Sequence, residues 1–211
     1  MTEFRGSFEM HITIAVPSAD EWARLSSWGV DHKAKCVWIE LARGLQPSQP
    51  MVTVHRSGAL VGIVEECQSL EAELRNLGLT PVRTKVECAI DNDGVPRDDA
   101  DWGPVHAGRY FESHVKLLLN ASEDLPRIRQ LAERHDGHLS RNAFRTREDG
   151  RQERFVTQRG RGCGRRTFQE RIDALVRTFE ATGVSIAEIE REFVVFDTRE
   201  GLDSGWLTDS Q

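Results

Sequence analysis

The sequence predicts an α+β protein made of two tandem ferredoxin-like units, each with the element order βαββαβ and related by internal duplication. Three observations predict it. The stretch FEMHITIAV at 8–16 returns as FESHVKLLL at 111–119, carrying Phe8 onto Phe111, Glu9 onto Glu112 and His11 onto His114. Both stretches alternate apolar and polar residues, the pattern of a strand with one buried face. Helical stretches then follow in the same order in both halves of the chain.

The first copy reads as strand 8–16, helix 18–30, strand 35–43, strand 51–56, helix 58–77 and strand 81–90. Ser18 with Glu21 three residues later makes a capping box for the first helix. QSLEAELRNLG has helical periodicity and ends at a glycine stop. The second copy reads as strand 110–119, helix 122–135, strand 138–146, strand 153–159, helix 165–181 and strand 186–196. Ser122 is the start signal of its first helix, and FQERIDALVRTFEATG again ends at glycine. MVTVHRSG at 51–58 maps onto RFVTQRGR at 154–161, which aligns Arg56 with Arg159. A two-residue slip then aligns Glu87 with Glu192.

These elements divide the chain into a first repeat at 1–90, an acidic Gly/Pro linker at 91–109, a second repeat at 110–198 and a loose tail at 199–211. Trp206 is the one tail residue suited to docking. The linker contains DNDGVPRDDADWGPVHAG, rich in turn formers.

Composition narrows the class. The 211 residues carry a net charge of −6, so binding of nucleic acid through the general surface is not expected. No apolar run reaches the length of a membrane span, and MTEFRGSFEM lacks the basic-then-apolar order of a signal peptide. Cys36, Cys67, Cys88 and Cys163 form no Cys-x-x-Cys pair. The expectation is a cytoplasmic, reduced protein with no membrane partner.

Alternation also assigns faces. Phe8, Met10, Ile12 and Ile14 go to the helices, and Glu9, His11 and Thr13 go to the open side of the sheet. Glu112, His114 and Lys116 do the same in the second copy. In this fold the last strand lies beside the first, so Arg83, Lys85 and Glu87 join one open face and Glu188, Glu190 and Glu192 the other. Two polar faces opposed across a pseudo-two-fold axis would enclose a charged cleft or tunnel with His11 and His114 related by symmetry.

Such a site suits an anionic small molecule. An unperturbed imidazole changes charge near neutrality, so His11 and His114 would exchange protons, with Glu9 and Glu112 orienting the rings. Thr13, Lys116, Arg56, Arg159, Arg161, Lys85 and Arg83 would bind negative oxygens. A divalent metal is the cofactor this pattern would admit, held by Glu9, His11 and Glu87 in one copy and Glu112, His114 and Glu192 in the other. The loop TQRGRGCGRRTFQER at 157–171 puts glycines and arginines at a helix start, a setting for phosphate or carboxylate. His32, His135 and His138 lie at helix ends and read as caps.

Two families share short motifs with these stretches. MHITIAV resembles the apolar-His-x-Thr-apolar strand of the two-histidine phosphoesterases, with His11 and Thr13 on the motif. That resemblance implies paired histidines acting as acid and base on a phosphodiester. The second copy has Lys116 where that motif has Thr. FESHVK resembles the Glu-x-Glu-x-Lys strand of the triphosphate tunnel enzymes, with His114 in place of the middle Glu. It implies a tunnel in which basic residues hold phosphates and EIERE at 188–192 holds metal. The resulting expectation is an enzyme acting on a phosphodiester or nucleotide. A binding module without turnover and a metal-dependent triphosphate hydrolase are its alternatives.

Overall fold

Among the described residues, eight strands and four α-helices follow one another as two rounds of βαββαβ. The computed structural model describes residues 4–143 and 147–206. The first round is β1 (Arg5–Ile14), α1 (Ala19–Asp31), β2 (Lys35–Leu41), β3 (Ser48–Ala59), α2 (Leu60–Asn76) and β4 (Pro81–Ala89). The second is β5 (Tyr110–Leu119), α3 (Leu125–Glu133), β6 (His138–Asn142), β7 (Gln152–Gly160), α4 (Arg165–Ala181) and β8 (Ser185–Asp197).

Local chemistry sets the helix starts. At α1 the Ser18 N–H donates to the Glu21 carboxylate at 2.7 Å and the Glu21 N–H donates to Ser18 Oγ at 3.3 Å, the capping box expected. The third helix starts later than expected. Asp124, not Ser122, is its cap, accepting from the Arg127 N–H at 3.1 Å, with a proline in the first turn. Strand β6 ends at Asn142, and residues 144–146 of the expected strand lie outside the described residues, as do 1–3 and 207–211.

All strand pairs are antiparallel, and the order β1-β3-β2-β6-β7-β5-β8-β4 closes on itself. This differs from two opposed sheets flanking a cleft. The halves join edge to edge, through Ile39↔Asn142 to Leu41↔Ser140 on one side and Lys85↔Asp197 to Ala89↔Glu192 on the other. Each four-stranded sheet alone would leave two rows of unpaired backbone groups, and closure pairs both.

The helices cover the outside. Phe8, Met10 and Ile12 pack with Leu25, Ile63, Leu70 and Leu74 in one core. Val115, Leu117 and Leu119 pack with Ile128, Leu175 and Phe179 in the other. What alternation assigned to an open face therefore becomes the inner wall of a barrel. Cys67, Cys88 and Cys163 are buried free thiols, and burial pushes those of Cys67 and Cys88 up to about 12. Among the described residues no helix is long and apolar enough to cross a membrane.

Segment 91–109 is a packed strap rather than a free linker. Val95 is buried in the first core, and Trp102 and His106 lie edge-on to Phe193 with ring centroids 6.2 Å away. The strap also closes the start of α4. The Gly164 N–H donates to Asp99 at 2.7 Å, and the Arg165 and Arg166 N–H groups donate to the carbonyls of Pro96 and Arg97. The expected loose tail is likewise ordered over 199–206: Leu202, Asp203 and Trp206 are buried, and the Trp206 indole N–H donates to the Leu139 carbonyl at 3.1 Å.

Candidate functional site

The inside of the barrel holds a partly open cavity of about 190 Å³. Its wall includes most of the residues that alternation assigned to the open faces: Glu9, His11 and Thr13 from β1, Arg83 and Lys85 from β4, Glu112, His114 and Lys116 from β5. Arg159, Glu190 and Glu192 line it too.

The two histidines are held alike. His11 Nδ1 lies 2.9 Å from the Thr53 hydroxyl, and His114 Nδ1 lies 2.8 Å from the Thr157 hydroxyl. Ladder register explains the match, since Thr53 stands opposite His11 on β3 and Thr157 opposite His114 on β7. On the other ring nitrogen, His11 Nε2 is 2.7 Å from Glu87 and His114 Nε2 is 3.3 Å from Glu112.

Lys85 joins these two carboxylates. Its ammonium lies 2.7 Å from Glu87 Oε1 and 2.6 Å from Glu112 Oε1. The result is a continuous chain, His11–Glu87–Lys85–Glu112–His114, that crosses from one half of the protein to the other. Burial by itself would raise both carboxyls. Lys85 and His11 outweigh it at Glu87, which falls to about 2, and Arg159 with Lys85 holds Glu112 well below its ordinary range. Burial alone would lower His114, but the Glu112 carboxylate outweighs it and holds the imidazole above its ordinary value. Glu192 goes the other way. Burial, then the neighbouring charges of Glu87 and Glu9, push it well above the usual carboxyl range.

A second ionic group closes one part of the wall. Asp203, from the 3₁₀ turn Glu200–Asp203, accepts from Arg83 at 2.8 Å, Arg159 at 2.5 Å and Gln49 at 2.9 Å. Arg83 also donates to Asp197 at 2.6 Å, and Tyr110 donates to the same carboxylate at 2.6 Å. The Arg159 guanidinium stacks over the Tyr110 ring at 4.5 Å. Sequence reasoning missed Asp203, Tyr110, Gln49, Thr53 and Thr157. The threonines were within reach of it, because each occupies an inward position by the alternation of its own strand.

Three expectations change. Arg56 points out of the barrel and pairs with Glu66 on α2 at 2.6 Å. The residue standing where Arg159 stands is His55, since Glu9 pairs with His55 and Glu112 with Arg159 across their ladders. Arg161 also lies off the cavity wall, stacked on Tyr110 at 4.5 Å and ion-paired with Glu200. Finally, the helix start after the arginine–glycine loop is already capped by Asp99.

Metal donors also regroup. In place of one set per copy, Glu87, Glu112 and His114 bring ligand atoms within 4.8 Å of one another across the two halves. The Lys85 ammonium contacts both of those carboxylates, so the positive charge a metal would supply there is supplied by lysine. Glu192 lines the cavity but stands outside that group.

No protein-family model matches the chain, and no curated protein is similar to it. Among solved structures, the acetolactate synthase small subunit from Thermotoga maritima is 11% identical, covering 91% of this chain and 96% of its own, with a TM-score of 0.33. Chlorite dismutase from Candidatus Nitrospira defluvii, in complex with imidazole, is 13% identical over 90% of this chain and 91% of its own, with a TM-score of 0.31.

Proposed function

We propose that this chain is an enzyme acting on a compact anionic molecule, a phosphoester first of all, inside the barrel. One observation carries the reading: His11 and His114, each with Nδ1 on a threonine hydroxyl, face one cavity alongside Arg83, Lys85, Lys116 and Arg159. His114, which the Glu112 carboxylate raises above its ordinary value against the effect of burial, acts as the acid, and His11 takes a proton from the attacking group. Lys116 and Arg159, ion-paired within the wall, offset its carboxylates and so lower the cost of bringing in an anion. The cavity volume is below the roughly 300–1,000 Å³ of drug-sized sites, which favours a small ester over a whole nucleotide. The matched element order and matched threonine–histidine pairs support an origin by duplication, and with it a site made from two copies of one half-site.

The test is turnover. Phosphate monoesters and diesters are offered to the purified protein, and release of phosphate or alcohol is followed. His11→Ala and His114→Ala, each checked for retained fold, lose turnover by about 10²- to 10⁴-fold. A doubly substituted protein that remains fully active would sink the reading.

A second reading is a binding protein without turnover. It is favoured by the engagement of both Nε2 atoms with carboxylates, which suits a static scaffold. It expects a ligand-dependent rise in thermal stability with no product. A metal-dependent hydrolase has less support, since Lys85 would have to leave Glu87 and Glu112 before an ion could enter.

A further inference from the structure

The cavity has two unlike walls. Against the ionic wall stand Val37, Ile39 and Leu41 on β2, Met51 on β3, Phe155 on β7 and the indole of Trp206. None of the six belongs to either hydrophobic core, so they do not serve the packing of helices on the barrel. Val37, Ile39, Met51 and Phe155 are only partly buried, which leaves apolar surface facing the cavity. Exposing such surface costs about 25 cal/mol per Å², so Val37, Ile39, Leu41 and Met51, with Phe155 beyond Ser140 of β6, offer the cavity an apolar face interrupted by Gln49, Ser140 and Asn142.

The register says where a polar head would sit. Lys35, on the same strand, stands opposite Thr53, and Thr53 stands opposite His11, so lysine and histidine share one row of the wall. The next inward row is Val37, Met51 and Thr13. Arg83, Lys85, Arg159 and Lys116 each have a carboxylate partner. Among the described residues, Lys35 is the cation of the cavity wall with none.

We infer that the ligand of this barrel is an amphipathic anion. Its phosphate or carboxylate head rests beside Lys35 and His11, and a short alkyl or aryl chain lies along Val37, Ile39, Met51 and Phe155. This rests on the anionic reading above and names the substrate class.

Binding of methyl, butyl and hexyl phosphate, with hexylammonium and hexanol as controls, is measured by calorimetry on the full chain. The expected result is a gain of about fourfold per methylene, and of more than tenfold between methyl and butyl phosphate. Ile39→Thr with Met51→Gln brings the hexyl-to-methyl ratio down toward one. Equal affinity for methyl and hexyl phosphate overturns the apolar wall as a binding surface and leaves the anionic reading standing. Binding of hexanol or hexylammonium without the phosphates overturns the anionic head. Binding of none of the five overturns both.

Discussion

His11 and His114 stand in equivalent places, each with Nδ1 on a threonine hydroxyl and Nε2 on a glutamate, and the two glutamates share the ammonium of Lys85. The protein thus places one cation from the first half between carboxylates of both halves.

Removing the bridge leaves two buried carboxylates facing each other. Glu87 and Glu112 are 1% and 2% exposed, so neither can turn to water. Lys85→Met is expected to destabilise the fold by about 3–5 kcal/mol, read from denaturant unfolding. Adding Glu87→Gln should restore part of that loss. An unchanged midpoint in Lys85→Met would rule the bridge out as a structural element.

Stability should peak on the acid side of neutrality. Glu87 and Glu112 are depressed in the fold, so their contribution is present above the ordinary carboxyl value of 4.5 and is lost as pH falls below it. Glu192 and His114 are raised. Their contributions are complete below 4.5 and 6.5 respectively and are lost as pH climbs through the folded values. The maximum is therefore expected between about 4.5 and 6.5. Glu192→Gln should flatten the decline above 4.5 in a pH series of unfolding free energies, because its amide has no proton to lose.

The strap at 91–109 has a sharp test. A Cβ on Gly164 would lie 2.3 Å from the Asp98 carbonyl carbon, so Gly164→Ala must push the strap off the start of α4. A loss of about 1–3 kcal/mol is expected, with faster proteolysis inside 91–109. Protease resistance equal to the parent would mean that the strap tolerates displacement.

Arg56 and Arg159 make a matched pair for ligand binding. Arg159→Gln should weaken phosphate-ester binding at least tenfold, because it leaves the buried carboxylates of Glu112 and Asp203 less compensated on the cavity wall, where they repel an anion. Arg56→Gln should leave that affinity unchanged and cost less than about 1 kcal/mol of stability, since its partner Glu66 lies on the outer surface. Calorimetry on both variants separates them.

The contrast between those arginines also marks how far the sequence reaches. The strand stretches that carry Glu9, His11, Glu112 and His114 are legible because their period of two fixes which side chains share a face. The same rule misplaces Arg56, because a one-residue slip in the alignment of β3 with β7 moves a side chain to the opposite face. Barrel closure is not written locally at all. It depends on Ile39 meeting Asn142 and on Lys85 meeting Asp197, contacts between residues far apart in the chain. Asp203 was invisible for another reason: it sits in a short turn without periodicity, and only the docking of that turn against Gln49 and Arg83 gives it a place, whereas Trp206, the tail residue suited to docking, does dock, on Leu139. The apolar inner wall escaped because β2 was read for its existence and not for the direction of Val37, Ile39 and Leu41.

Edge-to-edge closure has a consequence for the chain as a polypeptide to be cut or expressed in pieces. Severed between Ala89 and Tyr110, the first fragment would expose β2 and β4 as bare edges, and the second would expose β6 and β8. Each would also keep half of a buried salt network, Lys85 in one and Glu112 in the other. Fragments of that kind are templates for aggregation when alone and for mutual recognition when mixed. The two halves should therefore behave as obligate complements, recovering a barrel only when both are present.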